Sequence, residues 1–243
     1  MTIAGAALAL FLGAVLQSAT GFGFALVSAP VLFALIGPQE AVTAGVLVAL
    51  VPNTLTLAGE RRRPQVLVRD ALGLMAWSLP GLALGALALS ALSDRLLSVL
   101  VAVAVLAGVT LRALSRRSAG AAGPPRPWYL PAAGLSGGVL STATSLNGPP
   151  LVFYLLARGA SPAQMRDTLA SIFLVLALLG IPALLLSGTF TVPEGLAVMV
   201  LAALAGQLLG RRAFGWLRGE RYEPAVYAVL IATALVALVA SVS

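Results

Sequence analysis

The chain is a succession of long apolar stretches parted by short polar intervals. A helix that crosses a bilayer needs about 20 mostly apolar residues, each adding about 1.5 Å. Six stretches meet that requirement, near residues 41–60, 70–92, 95–113, 167–187, 191–210 and 224–242. Two others, 3–36 and 128–157, are apolar towards their ends and broken in the middle. The first is interrupted by Gln17-Ser18-Ala19-Thr20-Gly21-Phe22-Gly23, the second by Ser141-Thr142-Ala143-Thr144-Ser145-Leu146-Asn147-Gly148-Pro149-Pro150. The pattern predicts an all-α polytopic membrane protein.

The segment Arg116 to Pro127, RRSAGAAGPPRP, has linker composition and falls close to the midpoint of the chain. It divides a first membrane repeat, 1–115, from a second, 128–243, with 116–127 as the cytoplasmic linker. Shifted by 124 residues, Ala19-Thr20 falls on Ala143-Thr144 and Pro38 on Pro162. Gly81-xxx-Gly85 falls on Gly206-xxx-Gly210, and Asp94-Arg95 on Glu220-Arg221, at shifts of 125 and 126. Landmarks of three kinds recurring in one order favour an internal duplication over chance apolar similarity.

Arginine placement discriminates between two topologies. If both broken stretches cross the bilayer, the fifteen Arg residues divide eight against seven between the faces. If both return as re-entrant helical hairpins, three spans follow each, and every Arg except Arg95 falls on one side. The second arrangement obeys the positive-inside rule. It predicts two inverted repeats, each a broken hairpin plus three transmembrane helices, the plan of many secondary transporters. Both termini are then outside, and the loops near 61–69, 114–127, 158–166 and 211–221 are cytoplasmic.

Composition agrees and narrows the chemistry. Hydrophobic residues make up 60 % of the chain and charged residues 9 %, against about 25 % charged in a soluble domain; mean hydropathy is +1.02. The chain contains no Cys, no His and no Lys. Disulfides, thiolate nucleophiles, Cys/His metal sites, imidazole bases and Schiff-base lysines are thereby excluded, and no cofactor is expected. A net charge of +7 is accounted for by cytoplasmic Arg, so nucleic acid is not an expected partner. The start, MTIAGAALAL, lacks the basic region of a signal peptide, and an uncleaved N-terminus is expected.

Irregular backbone inside hydrocarbon leaves polar groups unpaired at several kcal/mol each, so it persists only where it lines a protein-walled cavity. The breaks therefore mark a site. Thr20 or its neighbours are expected to cap a helix starting near Gly21 to Gly23, and Asn147 to cap one whose first turn holds Pro149 and Pro150. Each N-terminus carries roughly half a positive elementary charge, so two converging tips suit a singly charged anion without a buried Lys or Arg. The predicted substrate-binding residues are Thr20, Gly21, Phe22, Gly23, Asn53, Thr144, Ser145, Asn147 and Gly148. Gln17 and Gln207 are weaker candidates. Gly81, Gly85, Gly206 and Gly210 are expected to pack helices closely. Asp70, Asp167 and the other acids lie near segment ends, where solvation or pairing with a neighbouring Arg is expected. No mid-span carboxylate offers a proton relay, so proton coupling, uniport and homo-oligomerisation stay open. A channel is the nearest rival reading; an intramembrane enzyme lacks a base or a metal.

At the two breaks and the repeated glycine pairs the chain resembles the sulfite exporter TauE/SafE family of membrane transporters, over nearly its whole length. The residues that carry the likeness are Gly21-Phe22-Gly23-Phe24-Ala25-Leu26-Val27-Ser28-Ala29-Pro30-Val31-Leu32 and, degenerately, Asn147-Gly148-Pro149-Pro150-Leu151-Val152. The second break departs from the family's usual glycine run by placing Asn147 there. The resemblance implies a multi-pass protein of the inner membrane that moves sulfur-containing anions such as sulfite, sulfonates and related organosulfur compounds, in the export direction.

Overall fold

A computed structural model describes residues 2–58, 63–117 and 126–216. The described residues are helical, with no strand among them. The order is α1 (Thr2–Thr20), α2 (Phe24–Ile36), α3 (Pro38–Ala58), α4 (Val68–Ala91), α5 (Asp94–Arg117), α6 (Tyr129–Thr144), α7 (Gly148–Ala157), α8 (Pro162–Leu186) and α9 (Leu196–Trp216). The stretch 224–242 and most of the linker lie outside the described residues. Helices α3, α4 and most of α8 are long and apolar enough to cross a bilayer, and α5 and α9 match them in length. Leu72, Leu84, Leu87 and Leu201 are more than half exposed, an outer surface suited to lipid rather than water. The chain is a multi-pass membrane protein.

The two breaks bend the chain back on itself. Gly21 and Gly23 adopt φ of 82° and 106°, a left-handed backbone open to glycine and costly for other residues, and α2 starts directly after them. A Cβ at Gly5 would meet Leu35 at 3.0 Å, and one at Gly13 would meet the Phe24 carbonyl at 2.7 Å, so α1 and α2 pack as an antiparallel hairpin. At the second break Ser145 carries a φ of 62°, and the Ser145 and Leu146 amides close the end of α6 on Ser141 and Leu140. Pro149 and Pro150 then open α7, and Gly137 faces Leu151 across that hairpin. With 13 and 10 residues, α2 and α7 reach only about 20 and 15 Å, too short to span alone.

Glycines set the helix pairs. Helix α6 follows α4 in the same direction, with Leu130 on Gly73, Gly134 on Trp77, Gly138 on Gly81 and Thr142 on Gly85. Helix α1 follows α9 in the same way, with Ile3 on Gly195, Phe11 on Gly206 and Val15 on Gly210. The packing role expected of the Gly81/Gly85 and Gly206/Gly210 pairs is what the geometry shows: missing side chains let backbones touch. Helix α9 also follows α3, through the Thr191 amide on Thr43 Oγ1 and Gln207 Nε2 on Thr56 Oγ1. Thr142 touches both Gly85 and Gly180, and the Leu67 amide meets Thr168 Oγ1, so α4, α6 and α8 share one direction. Helix α8 runs against α3, since Asp167 binds the Gln65 amide beyond one end while Gly180 faces Val46 further along. The first limbs of the hairpins, α1 and α6, therefore point in opposite directions.

Two acids are held more deeply than their positions near segment ends suggested. Asp70 is 8 % exposed and accepts hydrogen bonds from Tyr154 Oη at 2.7 Å and from Arg158 Nε at 3.0 Å, tying the start of α4 to the end of α7. Asp167 is 2 % exposed and accepts from the Gln65 amide at 2.7 Å. Asp70→Ala strands the Tyr154 hydroxyl and is expected to cost about 2 kcal/mol, read as a lowered thermal midpoint in detergent. Arg158→Ala is expected to cost less, because that side chain is 42 % exposed.

Candidate functional site

The ends of both breaks open on one cleft, enclosed also by the middles of α3 and α8. The first hairpin contributes Gln17, Gly23, Phe24, Ala25 and Leu26; the second contributes Ser141, Ser145, Leu146, Asn147 and Gly148. Helix α3 supplies Gly45, Val46, Ala49 and Asn53, and α8 supplies Phe173 and Ala177. Counted with its open mouth, the cleft holds about 500 Å³. Gly45 matters for a close approach: a Cβ there would collide with Ser145 Oγ and lie 2.9 Å from Ser145 Cβ, so only glycine lets the second hairpin tip reach α3. No charged side chain lines the cleft among the described residues.

The two helix tips are electrostatically unequal. The first intrahelical bond at the start of α2 runs from the Val27 amide to the Gly23 carbonyl, which leaves the Phe24, Ala25 and Leu26 amides without a helical acceptor. At α7 the equivalent positions include Pro149 and Pro150, which have no N–H, so Gly148 is the amide that remains before Leu151. Polar side chains stand in at that tip. Asn147 donates to Ser141 Oγ at 3.4 Å, and Ser145 lies beside it. On the α3 side, Asn53 Nδ2 donates to the Ala49 carbonyl at 2.8 Å and Asn53 Oδ1 accepts from Gln17 Nε2 at 2.7 Å.

Of the residues expected to bind substrate, Gly23, Asn53, Ser145, Asn147 and Gly148 come together on this cleft. Gly21 does not line it and lies against the Arg166 backbone and side chain at the start of α8. Phe22 is buried in the core at 6 % exposure, and Thr144 is turned to the Leu140 carbonyl at 2.8 Å. The Thr20 side chain lies outside the described residues. Gln207 is absent from the lining; it is fully buried between α9 and α3, on Pro52 and Thr56. Gln17, by contrast, faces the cleft. Ser141 belonged to the second break but was not singled out, and nothing in the sequence marked Gly45 or Phe173.

The cap expected from Asn147 does not form, and α2 starts later than Gly21 to Gly23. The residue before α2 is Gly23 in a left-handed conformation, which offers no side-chain cap, and the helix starts at Phe24; a cap from the Thr20 side chain lies outside the described residues. Asn147 does precede α7, but its backbone is already helical and its side chain makes no cap bond. A side chain caps the next amides from an extended backbone, and here the tight turn after Ser145 denies Asn147 that geometry. Asn147→Ala is accordingly expected to change thermal stability by no more than about 0.5 kcal/mol, well below a lost cap. A larger loss would mean that the side chain holds the tip by more than its long bond to Ser141 Oγ.

Among the described residues no three His, Cys, Asp or Glu side chains gather as a metal site. A comparison with protein families matches sulfite exporter TauE/SafE over residues 6–237. Neither the curated proteins nor the solved structures yielded a match. The broken hairpins thus sit in a chain matched from near its start to near its end, and the protein belongs to the sulfite exporter TauE/SafE family, a family of membrane transporters.

Proposed function

We propose that the protein is a secondary transporter of small sulfur-containing anions, sulfite, sulfonates or related organosulfur compounds, working in the export direction across the inner membrane. The carrying observation is the cleft, which gathers the α2 residues whose amides have no acceptor within the helix, Gly148 and the neutral polar side chains of Asn53, Ser145 and Asn147. Unpaired N–H groups at helix starts attract negative charge, and a lining without fixed cations lets the ion leave again. The family's name supplies the sulfur-containing class.

Alternating access by two inverted repeats is the mechanism this reading calls for. The opposite directions of α1 and α6 support it, as does the correspondence between the α1–α9 and α6–α4 pairings. In this scheme each hairpin rides on a long helix of the other repeat, and rocking exposes the cleft to one side and then the other. The topology has a direct check, because the chain is free of cysteine. A single Ser161→Cys should react with an impermeant thiol reagent only from the cytoplasmic side, and Ser187→Cys only from outside. Labelling of Ser161→Cys from outside would mean that the second broken stretch crosses the bilayer.

The function is tested by fluxes of sulfite, sulfonates and organosulfur carboxylates in proteoliposomes, with and without a pH gradient. Saturable, counterflow-competent anion uptake is expected. Non-saturating flux without counterflow indicates a channel, and no anion flux at all defeats the proposal.

A further inference from the structure

One polar group on the cleft is of opposite character to its helix tips and is held in that orientation. Gln17 is 3 % exposed and lines the cleft from the last turns of α1. Its orientation is fixed by a chain of two hydrogen bonds. The Ala49 carbonyl can only accept, so the Asn53 group 2.8 Å away must be the Nδ2 donor. Asn53 then presents Oδ1 to Gln17, and the Gln17 group 2.7 Å from it must be Nε2. Gln17 Oε1 is left over. It has no hydrogen-bond partner among the described residues, and it is not among their atoms sealed off from the surface. A carbonyl oxygen held open at a cleft, on a side chain otherwise removed from water, favours a ligand that donates a hydrogen bond.

Asn147 has no comparable constraint, because its partner is the Ser141 hydroxyl, which can donate or accept. Of the two amides, only Gln17 is fixed as an acceptor towards a ligand. Resting on the reading of the cleft as the anion site, we infer that the transporter selects singly charged anions that also carry a hydrogen-bond donor, with Gln17 Oε1 as the specificity-determining acceptor. The charged end of the ligand lies at the α2 amides and the donor end at Gln17. Fully deprotonated dianions, and monoanions with a purely apolar tail, leave Gln17 Oε1 unsatisfied once they expel its water. A site built to hydrogen-bond a hydroxyl discriminates strongly against an analogue without one.

Two near-isosteric probes separate the terms: 2-hydroxyethanesulfonate ends in a hydroxyl where propane-1-sulfonate has a methyl. Both carry one negative charge. In proteoliposomes of the intact protein, the hydroxyl compound is expected to half-saturate transport at a concentration roughly tenfold lower. Gln17→Met keeps length and removes the acceptor, and should bring the ratio between the probes close to one. Asn53→Ala frees Gln17 to rotate and should reduce the ratio without inverting it. Because a ratio within each variant is measured, a general loss of folded protein cancels. Equal affinities in the unmodified protein would overturn the inference while the anion-transport reading stands, since both probes are then carried. A preference retained in Gln17→Met would also overturn it. Transport of neither probe, nor of sulfite, would remove the inference together with the reading beneath it.

Discussion

Gly23→Leu is expected to reduce anion flux below about one hundredth of the unmodified value while the protein still inserts and elutes as a single folded species. Two effects coincide at this residue. Its φ of 106° lies where any side chain strains the backbone, at a cost of about 1–3 kcal/mol. Relief of that strain rotates the start of α2, and with it the Phe24, Ala25 and Leu26 amides. Gly23 is also a lining residue, so four added carbons stand at the cleft. Gly23→Ala separates the two, since it imposes the strain with little bulk, and an intermediate flux is expected. Undiminished flux in Gly23→Leu would place the path elsewhere.

Gly138→Leu is expected to abolish the folded protein altogether. A Cβ at residue 138 would run into the Ser78 carbonyl and lie 3.0 Å from both Gly81 Cα and the Leu82 amide. These are backbone atoms of α4, with no flexible side chain to yield. Relief requires moving α4 away from α6, which would also break the Ser78 Oγ bond to the Gly134 carbonyl and the Thr142 Oγ1 bond to the Leu82 carbonyl. Overpacking typically costs about 1–3 kcal/mol and more where rigid backbone has to give way, a large part of a marginal stability. The contrast is Gly180→Ala on α8, where the nearest atom is 3.6 Å away. There a helix-favouring methyl should be neutral or slightly stabilising. Yield of monodisperse protein and its thermal midpoint distinguish the two variants.

The features legible in the sequence are those that break a helix or let two helices touch. Gly21-Phe22-Gly23 and Asn147-Gly148-Pro149-Pro150 interrupt apolar stretches with residues whose backbone preferences are strong, and the structure turns the chain at both places. The spaced glycines of α4 and α9 were equally readable, because a four-residue interval puts both on one helix face. What stayed hidden was which face of each apolar helix looks inward. A helix buried on one side by protein and on the other by lipid is apolar all round, so no polar stripe reveals its orientation. Gln17 could not be told from Gln207 for that reason, although one faces the cleft and the other packs against Pro52 and Thr56. The pairing of Asp70 with Tyr154 and Arg158 was likewise beyond local spacing, since it joins residues 84 and 88 positions apart. Phe173 and Gly45 carry no signal of their own and line the site through tertiary packing.

Anion transport by this protein requires that the two helix starts converge on one bound anion. The most direct measurement is an experimental density map of the protein in lipid nanodiscs, saturated with sulfite and compared with the same sample without it. The expected result is added density in the cleft, within hydrogen-bonding reach of the Phe24, Ala25 or Leu26 amide and of Gly148. Anion density bound elsewhere, or helices running unbroken through residues 21–23 and 145–147, would contradict the account.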